Sequence, residues 1–247
     1  MKNIKLTIQY DGTRYNGWQN QKNTANTIQT KLETVLSRMA NAPIALAASG
    51  RTDAGVHASG QIANFKTNTT HTCAEVIAYA NEYLPADIAV IDAEEVDERF
   101  HSRLHALGKT YVYRIWNSSV PNVFERQYLH TVTTPLNLAL MRQAAALLTG
   151  THDFQSFCAT KAGKKSTVRT LSSIEIEVIG SEVRLTFTGD GFLYHMVRIL
   201  VGTLIEIGLG KRQASELPNI LVAKERSKAG HLAPAQGLCL TQVFYPA

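Results

Sequence analysis

"GRTDAGVHASGQIANF", Gly50 to Phe65, sets a glycine-laced turn against the start of an apolar strand. Glycines at 50, 55 and 60 let the backbone turn tightly and let another group come close. Arg51 and Asp53 stand two residues apart inside that turn. Outward from it the chain shows two periodicities. Upstream, Ile4, Leu6 and Ile8 alternate with polar residues as in a half-buried strand, and Ile28, Leu32, Val35, Leu36 and Met39 recur at helical spacing. Downstream of the strand "GQIANFKT" come a helical stretch around "AEVIAYANEYL" and a strand in "DIAVIDAEEV". The first half reads β-α-β-α-β.

The pattern restarts with "KTYVYRIWN" as a strand and "LNLALMRQAAALL" as a helix closed by Gly150. "SSIEIEVI" and "EVRLTFTG" are strands joined by a tight hairpin at Gly180 and Ser181. "FLYHMVRILVGTLIEIGLG" predicts one long helix, "ASELPNILVAKE" a shorter one and "GLCLTQVFY" a closing strand. The predicted fold is α+β: two ferredoxin-like or RRM-like halves with adjoining antiparallel sheets and a central active-site cleft. The halves are an N-terminal lobe, 1–104, and a C-terminal lobe, 105–247.

A chain of 247 residues with 45% hydrophobic content can bury a substantial core. The excess of 25 Lys and Arg over 20 Asp and Glu, a net +5, suits an anionic partner. Acids gather at Asp92, Glu94, Glu95, Asp97 and Glu98, and Arg99, Arg103, Lys109, Arg114, Lys161, Lys164, Lys165 and Arg169 follow. Cys73, Cys158 and Cys239 are far apart and form no C-x-x-C pair, as in a protein with reduced thiols. With no apolar leader and no bilayer-length apolar run, the expectation is a cytoplasmic protein without a membrane partner.

Two familiar motifs fail on inspection. "KAGKKST", Lys161 to Thr167, lacks the upstream glycine of a phosphate-binding loop, so it reads as a solvated basic loop or one that touches RNA phosphates, and no nucleotide cofactor is expected. His101 and His105 stand four apart with no third ligand, so they read as surface histidines and no metal is expected.

Arg198 lies in "FLYHMVRILVGTLIEIG", where every neighbour within a turn except His195 is apolar or small. A helix apolar nearly all round is buried, and an arginine there needs a carboxylate or must snorkel to the surface. Glu206 is two turns along and awkward to reach, whereas Asp53 sits on a loop and is the expected partner. The bland alternative makes Asp53 a turn residue and Arg51 a surface charge. Tyr111 and Tyr113 share one face of a strand bracketed by Lys109 and Arg114, a pattern that serves a core or a base-stacking surface equally.

Taken together and in order, "YDGTRYNGWQNQ", "GRTDAGVHASGQ", "RFHSRLHALGKTYVYRI", "GTHDFQSF", "GDGFLYHMVRILVG" and "APAQGLCL" resemble the bacterial tRNA pseudouridine synthase A family over nearly the whole chain. Ser102, where alanine is common, and Ile199, where asparagine often stands, depart from its pattern. The resemblance implies isomerisation of uridine to pseudouridine at tRNA positions 38, 39 and 40 in the anticodon stem-loop, by a homodimer, with no cofactor. Residue by residue it implies Asp53 as the catalytic aspartate, Tyr111 as the substrate-stacking tyrosine and Arg198 as the arginine that pairs with the aspartate. It further implies that Arg51 helps splay the RNA and hold the flipped base, and that Leu238 packs near that base. A carboxylate can attack ribose C1′ or uracil C6, or abstract a ribose proton to give a glycal, and all three routes fit these residues. The basic segments would hold tRNA phosphates. The rival reading is a non-catalytic RRM-like RNA-binding protein, in which the aromatics stack bases and Asp53 only shapes a turn; a metal-dependent hydrolase is the weaker third.

Overall fold

The computed structural model describes residues 1–160 and 166–246, so the lysines of "KAGKKST" lie outside the described residues. The elements run β1 (Lys2–Tyr10), α1 (Ile28–Ala40), β2 (Ala47–Ala48), β3 (His57–Thr67), α2 (Cys73–Tyr83), β4 (Ile88–Val96), β5 (Gly108–Trp116), β6 (His130–Thr131), α3 (Leu138–Leu148), β7 (Gly150–Asp153), β8 (Val168–Ile179), β9 (Glu182–Gly189), α4 (Met196–Gly208), α5 (Leu217–Ala223) and β10 (Leu238–Phe244). The fold is α+β, and the chain divides into two compact units, Met1–Leu107 with Cys239–Ala247, and Gly108–Leu238.

The first unit is a sheet in the order β4-β1-β3-β10, with β1 antiparallel to both of its neighbours. Ile4, Leu6 and Ile8 on β1 are buried, as their alternation with polar residues predicts. Helix α1 buries Ile28, Leu32, Leu36 and Met39 and leaves Val35 half-buried at the edge of its apolar stripe. Thr27 starts it by accepting from the amide of Thr30, a cap that contributes about 1 kcal/mol, and Asn41 ends it in the left-handed region at φ 47°. Thr72 and Glu75 start α2 with reciprocal side-chain-to-backbone bonds.

The last strand departs from the lobe 105–247 that the sequence predicts. Cys239 and Leu240 of β10 pair in parallel with His57 and Ala58 of β3, and the Leu107 amide donates to the Phe244 carbonyl at 2.8 Å. The ladder bonds of β10 therefore place Cys239–Ala247 in the first unit. Tyr245 adds to the anchorage, its hydroxyl donating to the Ser102 carbonyl at 2.6 Å and its ring lying 5.2 Å from that of Phe100. Beneath these rings a buried polar network fixes the segment 97–102. Asn3 Nδ2 donates to the carbonyls of Asp97 and Phe100 at 2.9 Å, and Ser102 Oγ donates to Asn64 Oδ1 at 2.7 Å. Each bond satisfies a group that would be costly to bury alone.

The second unit is an antiparallel sheet in the order β5-β9-β8-β7, with β6 alongside β5. The β8–β9 hairpin turns where expected, with Ile179 opposite Glu182 and Gly180 at φ 61°. Helix α4 is buried on almost every side, which matches its continuous apolar sequence. It begins at Met196 and not at Phe192, however, because His195 takes a left-handed conformation at φ 62° and breaks any helix entering from upstream. Gly202 lets α4 meet the His231 backbone directly, since a Cβ there would collide with that carbonyl. Among the described residues no helix is long and apolar enough to cross a membrane.

Candidate active site

In the first unit the Gly50–Val56 loop joins β2 to β3. Arg51 is exposed and Asp53 half-buried, and a turn closes behind them where the Val56 amide donates to the Asp53 carbonyl at 3.2 Å. A second stretch, the "YDGTRYNGW" segment that follows β1, lies against this loop. The Trp18 amide donates to the Thr52 carbonyl at 3.1 Å. Gly17, at φ 87°, is pressed so close that a Cβ would stand 2.7 Å from the Thr52 carbonyl oxygen. Gly12 meets the Val56 carbonyl in the same way and donates its amide to His57 Nδ1 at 3.1 Å. From within, Tyr10 Oη lies 2.8 Å from Thr52 Oγ1. Gln61 donates to the Gly50 carbonyl at 3.1 Å. The two glycine-containing stretches quoted first for the family resemblance are thus one packed assembly, with Asp53 carried at its rim.

An outer layer steadies the same segment. Arg14 and Tyr15 both donate to Asp87, Arg14 Nε at 3.0 Å. Burial would raise the Asp87 carboxyl, but the Tyr15 hydroxyl and the Arg14 guanidinium hold it below the usual carboxylate range.

In the second unit three stretches meet: β5, the Gly189–Arg198 segment, and the 233–238 segment. Arg198 is half-buried on the first turn of α4, its Nε donating to the Ala233 carbonyl at 2.8 Å. Tyr113 is fully buried, and its hydroxyl donates to the neighbouring Pro234 carbonyl at 2.8 Å. Burial pushes the Tyr113 phenol up beyond its ordinary range, and the nearby Arg198 charge only partly opposes this. Gly237 gives this ring its room, since a Cβ there would stand 2.7 Å from Tyr113 Cζ. Leu238 follows directly and is buried. Tyr111 is also buried, with its ring met edge-on by Phe192 at 5.1 Å between centroids and 81° between planes.

The two tyrosines on one strand face are both buried, Tyr113 completely and Tyr111 with a small part of its surface open. Arg114 is occupied structurally, with Nε and Nη2 on Glu182 at 2.8 and 2.7 Å and Nη2 on Glu125 at 3.0 Å. Arg184 stands directly opposite Arg114 across the strands, and Glu182 bridges these like charges. His101 Nδ1 accepts from the Arg103 amide and His105 Nδ1 from the His101 amide, so local backbone orients both rings. Residues that sequence reading passed over are Tyr10, Thr52 and Gln61 under the Asp53 loop, and Tyr194, exposed and stacked on His195 at 3.7 Å. A glutamine inside the strand "GQIANFKT" was the available signal for the first group.

The family model described as tRNA pseudouridine synthase matches residues 6–104 and 144–246. A tRNA pseudouridine synthase A from Bacillus sp. (strain KSM-64) is 48% identical over 245 residues, covering 99% of this chain and all of that one. A tRNA pseudouridine synthase A 2 from Bacillus cereus (strain ZK / E33L) is 46% identical over the same shares. One from Acetivibrio thermocellus is 44% identical over 246 residues. Among solved structures, a chain of a Cbf5-Nop10-Gar1 complex overlaps 96% of this chain at 12% identity and a TM-score of 0.42, too slight to bear on the argument. Matched over most of its length and aligned with its relatives end to end, the chain belongs to the tRNA pseudouridine synthases, isomerases that act on tRNA.

Proposed function

We propose that this protein isomerises uridines 38, 39 and 40 in the anticodon stem-loop of tRNAs, with Asp53 as nucleophile, and that it does so as a homodimer. The observation that carries the reading is the Asp53 loop itself, braced by Gly17, Trp18 and Thr52 in a chain that matches this family almost throughout. The reaction breaks a C–N glycosidic bond and forms a C–C bond between the same base and sugar. It needs no redox partner, only a placed carboxylate, a shielded site and a proton acceptor for C5.

Asp53 attacks C1′ or C6, or initiates the glycal route, and Arg198 pairs with its carboxylate. The Nε bond to Ala233 supports that role by fixing the plane of the guanidinium. Extrusion of the target uridine costs a few kcal/mol, which the face of Tyr111 offsets by stacking. The edge-on contact of Phe192 supports this role, because it holds the tyrosine ring in one plane. Arg51, exposed beside Asp53, holds the displaced strand and base, and Leu238 packs beside the base.

The test is pseudouridine mapping in tRNA incubated with purified protein and no additive, with Asp53→Asn alongside. The expected result is modification confined to the anticodon arm, and a variant that binds tRNA but forms no pseudouridine. An active Asp53→Asn variant would overturn the assignment of the nucleophile. A wild-type protein that binds tRNA without modifying it would favour the RNA-binding alternative.

A further inference from the structure

Four buried polar side chains converge beneath the Asp53 loop. Tyr10, Ser49, Thr52 and Gln61 are 4, 0, 7 and 0% exposed. Gln61 Nε2 donates to the Gly50 carbonyl at 3.1 Å and to the Tyr10 hydroxyl oxygen at 3.4 Å. Its Oε1 accepts from Ser49 Oγ at 2.8 Å and from the Ile62 amide at 3.2 Å. Tyr10 Oη then meets Thr52 Oγ1 at 2.8 Å. The chain of bonds runs from the middle of β3 through the end of β1 to the residue before Asp53.

Burial keeps the Tyr10 phenol protonated far above neutral pH. Its oxygen accepts from Gln61, and its hydroxyl shares a second hydrogen bond with the Thr52 hydroxyl. Apolar side chains could fill this volume at no loss to the core, since buried polar groups add little net stability over a well-packed apolar replacement. What they add is direction. Gln61 bonds the loop at the Gly50 carbonyl, Tyr10 bonds the Thr52 hydroxyl, the Trp18 amide bonds the Thr52 carbonyl, and Gly17 packs against that carbonyl. The residue before Asp53 is thus held at both its side chain and its carbonyl.

We propose that Tyr10, Thr52 and Gln61 are positioning residues for Asp53, setting the rate of the chemical step and not the affinity for tRNA. The inference rests on Asp53 being the nucleophile. A displacement near 1 Å from productive geometry costs on the order of 100-fold in rate, so loss of one bond in this chain should be visible in catalysis before it is visible in folding.

The experiment compares Thr52→Val, which keeps the shape and loses the hydroxyl, with Thr52→Ser, which keeps the hydroxyl. Tyr10→Phe is the second probe, Asp53→Asn the reference for the nucleophile, and Ser102→Ala a control from a different buried network of the same unit. Each is measured for single-turnover pseudouridine formation, tRNA affinity and thermal unfolding. Thr52→Val and Tyr10→Phe are expected to slow single turnover by about 10- to 100-fold, with tRNA affinity within about twofold of wild type. Thr52→Ser should recover most of the rate, and Ser102→Ala should lose stability without losing rate. Wild-type rates in both Thr52→Val and Tyr10→Phe, beside an inactive Asp53→Asn, would overturn the positioning role while leaving the nucleophile standing. So would losses matched by Ser102→Ala at equal destabilisation. An active Asp53→Asn would overturn both readings together.

Discussion

Arg198 and Ala233 bond to each other twice: Arg198 Nε donates to the Ala233 carbonyl at 2.8 Å, and the Ala233 amide donates to the Arg198 carbonyl at 3.1 Å. The first turn of α4 is thereby clamped to the segment that also receives the Tyr113 hydroxyl. Lysine has no donor at the Nε position and no planar fork. A bond from a charged donor contributes about 1.5–3 kcal/mol, so Arg198→Lys should lower kcat by roughly 10- to 100-fold, with tRNA affinity nearly unchanged. Steady-state kinetics beside a binding titration will check this. An unaltered kcat counts against Arg198 as the partner of Asp53.

Gly17 supplies a harsher probe of the Asp53 loop. At φ 87°, with the Thr52 carbonyl 2.7 Å from the site of a Cβ, alanine meets both backbone strain and collision. The strain alone costs roughly 1–2 kcal/mol, and relief of the collision must move either Thr52 or the helix entry behind Gly17. Gly17→Ala is expected to lower the unfolding temperature by several degrees and to reduce pseudouridine formation more than tenfold. Calorimetry and a turnover assay on the same preparation will show whether the two losses occur together.

Glu182 makes the acid sensitivity of the second unit predictable. Bonds from Arg114 lower its pKa most, burial opposes them, and Arg184 adds to the lowering. A folded-state pKa below the unfolded value, about 4.3 for a glutamate, gives stability that is fully present above that pH. This stability disappears as pH falls through the folded-state value. Glu182→Gln should therefore be less stable than wild type by about 1–3 kcal/mol at neutral pH, with the gap closing below about pH 4.3. Unfolding temperatures across pH for both proteins will reveal it, and a gap that stays constant with pH would contradict the ion pair as its cause.

Affinity for tRNA should fall steeply with salt, because neutralising phosphates releases bound counterions. Arg99 and Arg103 stand exposed on the segment that Asn3 and Asn64 anchor, so they present charge from a fixed backbone. If both reach phosphates, replacing them with alanine reduces the slope of log K against log salt by about 1–2. Filter binding over a salt series will measure that slope, and a variant with the wild-type slope removes these arginines from the interface.

Local patterns were legible where local forces decide. The order β1, α1, β3, α2, β4 and the β8–β9 hairpin follow from spacing two, spacing 3.6 and a glycine turn, whereas the two-residue β2 between α1 and β3 is too short to show a period. The start of α4 was hidden because the apolar run continues upstream to Phe192, while the left-handed turn at His195 is set by its surroundings. Tyr111 and Tyr113 look alike in the sequence, and what separates them is contact with Pro234 and Gly237, more than a hundred residues later, which close over the Tyr113 ring. The charge of Arg114 was visible, but its claimant Glu182 lies across a strand pair. Gln61 was readable as a polar letter in an apolar strand; its meaning depends on Tyr10 and Thr52, which no periodicity links to it.

The pairing of β10 with β3 also sets a timetable. A ribosome delivers Gly108–Leu238 before the strand that borders His57 and Ala58, so that end of β3 waits for its partner until the whole second unit has been made. A nascent chain stalled before Cys239 would carry every residue proposed to touch the uridine and still lack the strand that pairs with β3 beside the Asp53 loop.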